Sequence, residues 1–205
     1  LMSIVKLNNR SVKDVTAFGS ISSLGSLTHI ATQTASSSAS VSFTSGIDST
    51  YKEYIFYFNN IHPSIDDKHF TFNGSDDTYS HSYDITKTST AFMAYHNESG
   101  SDSNLAYSTS GDLAQGTGFQ NLTTGDTIGS DNDQSLAGFL HLFNPSSTTF
   151  AKNFLARTTV SGASNYNSHA FFGGYFNTTS AITAIQFKMA SGNIDSGQIL
   201  LFGLN

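Results

Sequence analysis

Closely spaced aspartates are the side chains of this sequence best suited to metal binding or acid–base catalysis. They form three pairs in polar segments, Asp66/Asp67 in SIDDKH, Asp76/Asp77 in GSDDTYS and Asp131/Asp133 in SDNDQS. Paired carboxylates bind Ca²⁺ through their oxygens, or act as the acid and base of a glycosidase. Asp131 and Asp133 have the spacing that begins an EF-hand loop, but the glycine and terminal glutamate of that motif are absent. Because aspartate also caps local backbone in turns, we interpret all three segments as turns, with calcium binding as the alternative.

Nucleophilic catalysis has no motif in the sequence. The G-x-S-x-G elbow of serine hydrolases is absent, and the 7 histidines show neither HxH nor HxxxH spacing. The chain has no cysteine, which excludes thiolate catalysis, disulfides and cysteine-based zinc sites. We predict His141 on a strand face with Phe139 and Phe143, as a packing or interface residue. We therefore expect no enzymatic activity, no cofactor and no metal.

Tyrosine and amide side chains in two loops are suited to recognition. The first loop, DTYSHSYD, contains Tyr79 and Tyr83, and the second, SNYNSH, contains Tyr166 and Asn167. Aromatic rings stack on sugars and proteins, and amides form adaptable hydrogen bonds. The same residue types are common in β-turns. We predict these four residues as a candidate surface for a host glycan or another partner.

The composition restricts the classes of partner. Charged residues make up only 12% of the 205 residues, against roughly 25% in an ordinary soluble domain. The net charge of −6 argues against nucleic acid as a partner. No apolar run approaches the roughly 20 residues that span a bilayer, and LMSIVKLNNR lacks the apolar region of a secretory signal. We expect neither a membrane nor a nucleic acid to be the partner.

The first 40 residues differ from the remainder in charge and composition. They contain three basic side chains and one acidic one, whereas the remaining chain is strongly acidic. The segment TAFGSISSLGSLTHIATQTASSSAS (16–40) is rich in Ser and Gly and predicts a linker with one short strand near Leu27–Ile30. We predict residues 1–40 as an anchoring arm and linker. The residues expected to contact a partner are Val5, Lys6, Leu7, Arg10, Val12, Lys13, Val15 and Phe18.

From Val41 onwards, short apolar runs alternate with turns. Runs such as EYIFYFNNI (53–61), SLAGFLHLF (135–143) and HAFFGGYF (169–176) are separated by segments rich in Gly, Asp, Asn and Ser. The closing segment, AITAIQFKMASGNIDSGQILLFG (181–203), has the period-2 alternation of strands around a glycine turn and predicts a β-hairpin. We predict an all-β fold for residues 41–205, an antiparallel two-sheet β-sandwich of about eight strands with jelly-roll topology. An immunoglobulin-like sandwich is the alternative.

Four stretches resemble virion structural proteins of marine tailed bacteriophages. They are SIVKLNNRSVKDVTAFGSISS (3–23), GIDSTYKEYIFYFNNIHPS (46–64), LHLFNPSSTTFAKNF (140–154) and GYFNTTSAITAIQFKMASGNIDSG (174–197). The resemblance implies a capsid decoration, head-fibre or tail-appendage protein, a jelly-roll domain, a homotrimer and localisation in the virion. The implied partner is the major capsid protein or another virion protein, and no catalytic residues are implied. The alternative function is that of a tail-fibre domain that recognises host surface glycans.

Overall fold

The fold is built from β-strands alone in the part of the chain that the structure describes. The structure is a computed structural model that describes residues 27–205. These residues contain no helix, and therefore none that could cross a membrane. The strands are β1 (Thr28–Ser38), β2 (Val41–Phe43), β3 (Glu53–Pro63), β4 (Phe70–Ser75), β5 (Lys87–Asn97), β6 (Ser103–Tyr107), β7 (Gln120–Asn121), β8 (Leu136–Phe143), β9 (Lys152–Ser161), β10 (Tyr166–Phe176), β11 (Ala184–Met189) and β12 (Ile194–Leu204).

Two antiparallel sheets of unequal size form the domain. The larger has eight strands in the order β1-β12-β3-β8-β9-β10-β5-β6, and the smaller has four in the order β2-β11-β4-β7. The prediction of an antiparallel two-sheet sandwich is confirmed. The described residues form twelve strands rather than the expected eight or so, because β5, β6, β9 and β10 extend the larger sheet.

Phenylalanine side chains from both sheets meet in the core. Phe187 of β11 has its ring centroid 5.3 Å from those of Phe56 and Phe58 on β3, and 5.8 Å from that of Phe70 on β4. All four rings are fully buried. Edge-to-face and offset contacts of this kind are the favoured arrangements of aromatic pairs. The alternation on β11 is as predicted, since the residues between the buried ones are only partly buried.

The closing strands exist but do not form the predicted hairpin. β11 pairs with β2 and β4 in the smaller sheet, whereas β12 pairs with β1 and β3 in the larger one. The turn between them contains Gly192 at a φ of 75° and crosses from one sheet to the other. Asn193 and Ser64 fix this corner through two hydrogen bonds of 2.9 Å. Alternating apolar residues bury both strands against the same core, but do not determine which strand each one pairs with.

Strand β1 begins inside the segment that was predicted as arm and linker. It pairs with β12 from Thr28 opposite Gly203 to Ser38 opposite Ile194, and is an edge of the larger sheet. The predicted short strand near Leu27–Ile30 is therefore an eleven-residue strand. Main-chain pairing holds β1 in place, since Ala35 is its only buried residue. The predicted anchoring residues Val5 to Phe18 lie outside the described residues.

Candidate interaction surface

A row of directly paired side chains crosses the outer face of the eight-stranded sheet. Directly opposed residues in antiparallel strands project from the same face. The register therefore places one residue from each strand in a continuous row, which we call the aromatic ladder. In order it consists of Thr32, Leu200, Tyr57, Phe139, Arg157, Phe171, Phe92 and Tyr107. Five of the eight are aromatic, and Arg157 is the one charged member.

The end of the ladder on β5 and β6 is the most exposed. Phe92 is 46% exposed and Tyr107 is 54% exposed. The rings of Phe92 and Phe171 are stacked, with centroids 4.6 Å apart and planes 6° apart. Leu155 on β9 and Leu105 on β6 add exposed apolar surface to the same face. A large apolar area on an outer sheet face indicates an interaction surface.

Two contacts fix the side chain of Arg157 within the ladder. Its guanidinium carbon lies 5.0 Å from the centroid of the Phe171 ring, and its Nε donates a 2.6 Å hydrogen bond to Nε2 of His169. A histidine nitrogen that accepts this bond carries no proton. Burial, followed by the charge of Arg157, lowers the pKa of His169 below its ordinary value of 6.5. The pair of Arg157 and His169 therefore carries one positive charge rather than two at neutral pH.

Aromatic contacts continue towards β1 on the same face. Tyr57 contacts Phe139 and Phe202, with ring centroids 6.3 Å and 5.6 Å away. His141 lies on the face of Phe139 and Phe143, as the sequence predicts, and is half-buried. Its Nε2 lies 2.8 Å from a carboxylate oxygen of Glu53, and its ring is 4.2 Å from that of Phe143. These contacts identify His141 as a packing residue of the outer face.

Consecutive apolar residues in the sequence indicate this surface. A half-buried strand alternates apolar and polar residues, whereas apolar residues at consecutive positions are apolar on both faces. Tyr57 stands between Phe56 and Phe58, and Phe171 stands between Ala170 and Phe172. One side of each run fills the core, and the other side forms the ladder.

The four predicted recognition residues do not form one site. Tyr166 and Asn167 begin β10, opposite the end of β5, whereas Tyr79 and Tyr83 lie in the loop that precedes β5. The ends of the eleven-residue strand β5 are about 33 Å apart at about 3.3 Å per residue. Tyr79 is 94% exposed. A single recognition site can therefore include Tyr166 and Asn167, or Tyr79 and Tyr83, but not all four residues.

Tyr166 lines a shallow polar pocket of about 320 Å³. Its ring centroid lies 5.6 Å from that of Tyr95, and its hydroxyl donates a 2.9 Å hydrogen bond to Asp102. This hydrogen bond raises the pKa of the Tyr166 hydroxyl. Asp126 lies on the same pocket, and Asn167 on an adjoining hollow of about 240 Å³. The pocket combines aromatic rings with carboxylates, a combination that can stack on and hydrogen-bond to a sugar.

Of the paired aspartates, Asp77 accepts hydrogen bonds from nearby residues, whereas Asp66, Asp67 and Asp76 accept them from Ser130, Thr127 and Thr178 of distant segments. Asp77 accepts hydrogen bonds from the backbone nitrogen and the hydroxyl of Ser82, at 3.0 Å and 2.7 Å. Asp66 accepts a 2.9 Å hydrogen bond from the backbone nitrogen of Ser130. Within residues 27–205 there is no group of three or more His, Cys, Asp or Glu side chains placed to bind a metal ion. All three aspartate pairs lie in loops outside the strands, but most of these hydrogen bonds join distant segments rather than cap a local turn.

Comparisons with known proteins identified no relative of this chain. No protein-family model matches the chain, and neither a curated protein nor a solved structure matches it. Its function is therefore inferred from its residues and their geometry.

Proposed function

We propose that the protein is a structural component of a bacteriophage virion, a capsid-surface decoration or head-fibre protein that assembles with copies of itself. The main observation that supports this proposal is the aromatic ladder. A building block needs a surface for attachment to its neighbours, and the ladder is an apolar surface on a rigid sheet. The resemblance of the sequence to virion proteins of tailed bacteriophages supports the virion as the assembly.

The ladder face has the size and chemistry that suit a second copy of the chain. Eight strands about 4.8 Å apart, with ten residues of about 3.3 Å each, make a face of about 1,200 Å². A stable interface of standard size buries about 800 Å² on each partner. Interface cores are poor in charge and rich in aromatic residues and arginine, as is this face. Contact between the ladder faces of two copies would form a two-fold interface, whereas the homotrimer expected from the sequence would bury the ladder face against a different surface of the neighbouring copy.

The strand order supports a jelly-roll interpretation of the sandwich. Four antiparallel pairs join early strands to late ones, β1 with β12, β2 with β11, β3 with β8 and β4 with β7. In a jelly roll, the first strand pairs with the last, the second with the last but one, and so on towards the middle of the chain. Jelly rolls are common in viral capsids. On this interpretation β5, β6, β9 and β10 are additions, and three of the aromatic ladder residues lie on them together with Arg157.

Truncation of exposed apolar side chains on the ladder face tests the self-association. We expect Phe92→Ser and Leu155→Ser to shift the protein towards the monomer in analytical ultracentrifugation, because both remove apolar area from the interface. Phe150→Ser is the matched control, since Phe150 is also an exposed apolar residue but lies in the loop between β8 and β9. Wild-type protein that stays monomeric at high concentration, or an equal effect of the control, would contradict the proposal.

Recognition of a host glycan at the Tyr166 pocket is the second candidate function. The paired tyrosine rings and carboxylates of that pocket favour it, and the corresponding protein would be a tail-fibre domain. We expect Tyr166→Ala to abolish binding to host lipopolysaccharide or polysaccharide, and Tyr79→Ala to leave it intact because Tyr79 lies at the other end of β5. Folded wild-type protein that binds no glycan on an array would argue against this function.

A further inference from the structure

Lys87 is a buried amine without a carboxylate partner. It lies at the start of β5, and both it and Asn73 on β4 are inaccessible to solvent. Its Nζ donates hydrogen bonds to Oδ1 of Asn73 at 2.6 Å and to the carbonyl oxygen of Ile85 at 2.8 Å. The Phe176 ring, with its centroid 5.6 Å from Nζ, and the charge of Asp84 favour the ammonium ion, but neither is a hydrogen-bonded carboxylate. Burial of an ammonium ion without such a partner is costly. The site therefore favours the uncharged amine.

Two further features agree with an uncharged amine. A neutral amine has two hydrogens, which matches its two acceptors, whereas an ammonium ion has three. Burial lowers the pKa of Lys87 to about 7, so that the free amine is well populated near neutral pH. An uncharged lysine amine carries a lone pair and is a nucleophile.

The carboxamide of Asn73 is oriented and polarised as an electrophile. Its Oδ1 accepts a second hydrogen bond, of 2.8 Å, from the backbone nitrogen of Gly74. Its Nδ2 donates to the carbonyl oxygen of Thr117 at 3.0 Å. A backbone N–H on this oxygen would stabilise the negative charge that develops when a nucleophile attacks the adjacent carbon. The amine contacts two carbonyl groups, those of Asn73 and Ile85, and only attack on the Asn73 carboxamide releases ammonia without cleavage of the main chain.

We propose that Lys87 and Asn73 form an intramolecular isopeptide bond. Rotation about the Cε–Nζ bond of Lys87 first releases the hydrogen bond to Asn73 and turns the lone pair of Nζ towards Cγ. The lone pair then attacks Cγ of Asn73, and the bond from Cγ to Nδ2 breaks. One proton moves from Nζ to the departing nitrogen, and one molecule of ammonia is released. No carboxylate among the described residues hydrogen-bonds to either side chain, so no general acid assists the step. The bond is therefore expected to form slowly and to accumulate as the protein ages.

The cross-link would join the two sheets covalently. β4 belongs to the smaller sheet and β5 to the larger one, and the two residues are 14 positions apart. A covalent link that closes a loop restricts the unfolded chain and so stabilises the native state. This inference does not rest on the proposed function, since it concerns the interior of one chain.

Peptide mapping of the aged wild-type protein tests the bond. Tyr79 and Tyr83 lie between the two residues, so chymotrypsin releases two peptides that stay joined through Lys87 only if the bond exists. We expect the intact protein to lose the mass of one ammonia during days at mildly alkaline pH, and the joined peptides to appear at the same rate. Absence of joined peptides after that time overturns the proposal.

A Lys87→Met variant excludes the competing reaction. Asn73 precedes Gly74, and an Asn-Gly pair can also lose ammonia by forming a succinimide with its own backbone. The variant keeps Asn73 and Gly74 but has no amine, and we expect it to keep its full mass. Loss of ammonia at the wild-type rate in this variant would assign the change to the succinimide and overturn the proposal. Because the wild-type map is decisive by itself, the test does not depend on how well the variant folds.

Discussion

At the residue scale, the contact between Arg157 and His169 makes the outer face sensitive to pH. Arg157 lies in the middle of the aromatic ladder, and its Nε donates to an unprotonated nitrogen of His169. Thr159 and Ala94 oppose His169 on the neighbouring strands, and the Phe171 ring lies 4.7 Å from it. No carboxylate faces the histidine in these contacts, so protonation would place two cations side by side.

We predict that the protein loses stability and self-association as the pH falls below about 6.5. The pKa of His169 is lowered in the folded protein, so the unfolded chain takes up a proton at a higher pH than the native one. The associated stabilisation is complete above the unfolded pKa of about 6.5 and is lost below it. Sedimentation and chemical denaturation at about pH 7.5 and about pH 5.5 measure the effect.

His169→Gln is the control for this pH dependence. Its amide can still accept the hydrogen bond from Arg157 but does not titrate. His69 is also half-buried with a lowered pKa, and its contribution is the same in both proteins. An identical pH dependence of the wild type and the variant would show that His169 is not responsible.

At the element scale, glycine at a bulge determines how β12 fits against β3. The register between these strands shifts on both sides of Ser196, next to Gly197 at a φ of 125°. A Cβ on Gly197 would lie 2.6 Å from the carbonyl oxygen of Asn60 and 2.9 Å from Cα of Ile61. These atoms belong to the backbone, which cannot move without disturbing the sheet. The bulge thus requires glycine for both its conformation and its close contact.

We predict that Gly197→Ala lowers the free energy of unfolding by about 2–3 kcal/mol, because it combines backbone strain with a backbone contact. Urea denaturation measures the change. Gly118→Ala is the control, since a methyl group on Gly118 would have no atom within 4 Å and the φ of Gly118 is not positive. The control is expected to change stability by less than about 0.5 kcal/mol. Equal stability of Gly197→Ala and the wild type would contradict the role assigned to the bulge.

At the scale of the whole molecule, the first described strand and the most exposed aromatic residues of the ladder lie at opposite edges of the larger sheet. The described chain enters the sandwich at β1, an edge of the larger sheet, and the most exposed part of the ladder is on β5 and β6 at the opposite edge. The proposed attachment to a capsid and the proposed association between copies can therefore involve different parts of the molecule. The proposed partner of the arm is the major capsid protein or another virion protein.

We predict that deletion of residues 2–20 reduces occupancy on expanded capsids without changing the oligomeric state. The deleted residues precede the first described strand, and they include the predicted anchoring residues Val5 to Phe18. Occupancy is measured by quantitative binding to capsids, and the oligomeric state by sedimentation. Unchanged capsid binding by the truncated protein would end the proposal that the arm is the anchor.

From Val41 onwards, the local sequence determined where the main strands form and which of their residues face the core, whereas β1 was not predicted beyond a short strand. Ile185, Phe187 and Met189 alternate with polar residues, and alternation alone predicts a strand with one face in the core. The absence of cysteine and the scarcity of charge likewise follow from composition. These properties depend on the composition and on residues that are close together along the chain, and they can therefore be predicted without a structure.

Only the tertiary structure decided which strands pair and which side chains meet. β11 and β12 are adjacent in sequence but lie in different sheets, and β1 pairs with the end of the chain. The stack of Phe92 on Phe171 and the contact of Lys87 with Asn73 also depend on strand register and sheet packing. Register is a relation between distant segments, and many registers are compatible with the same alternation of apolar residues. The packing of the shared core selects one of them.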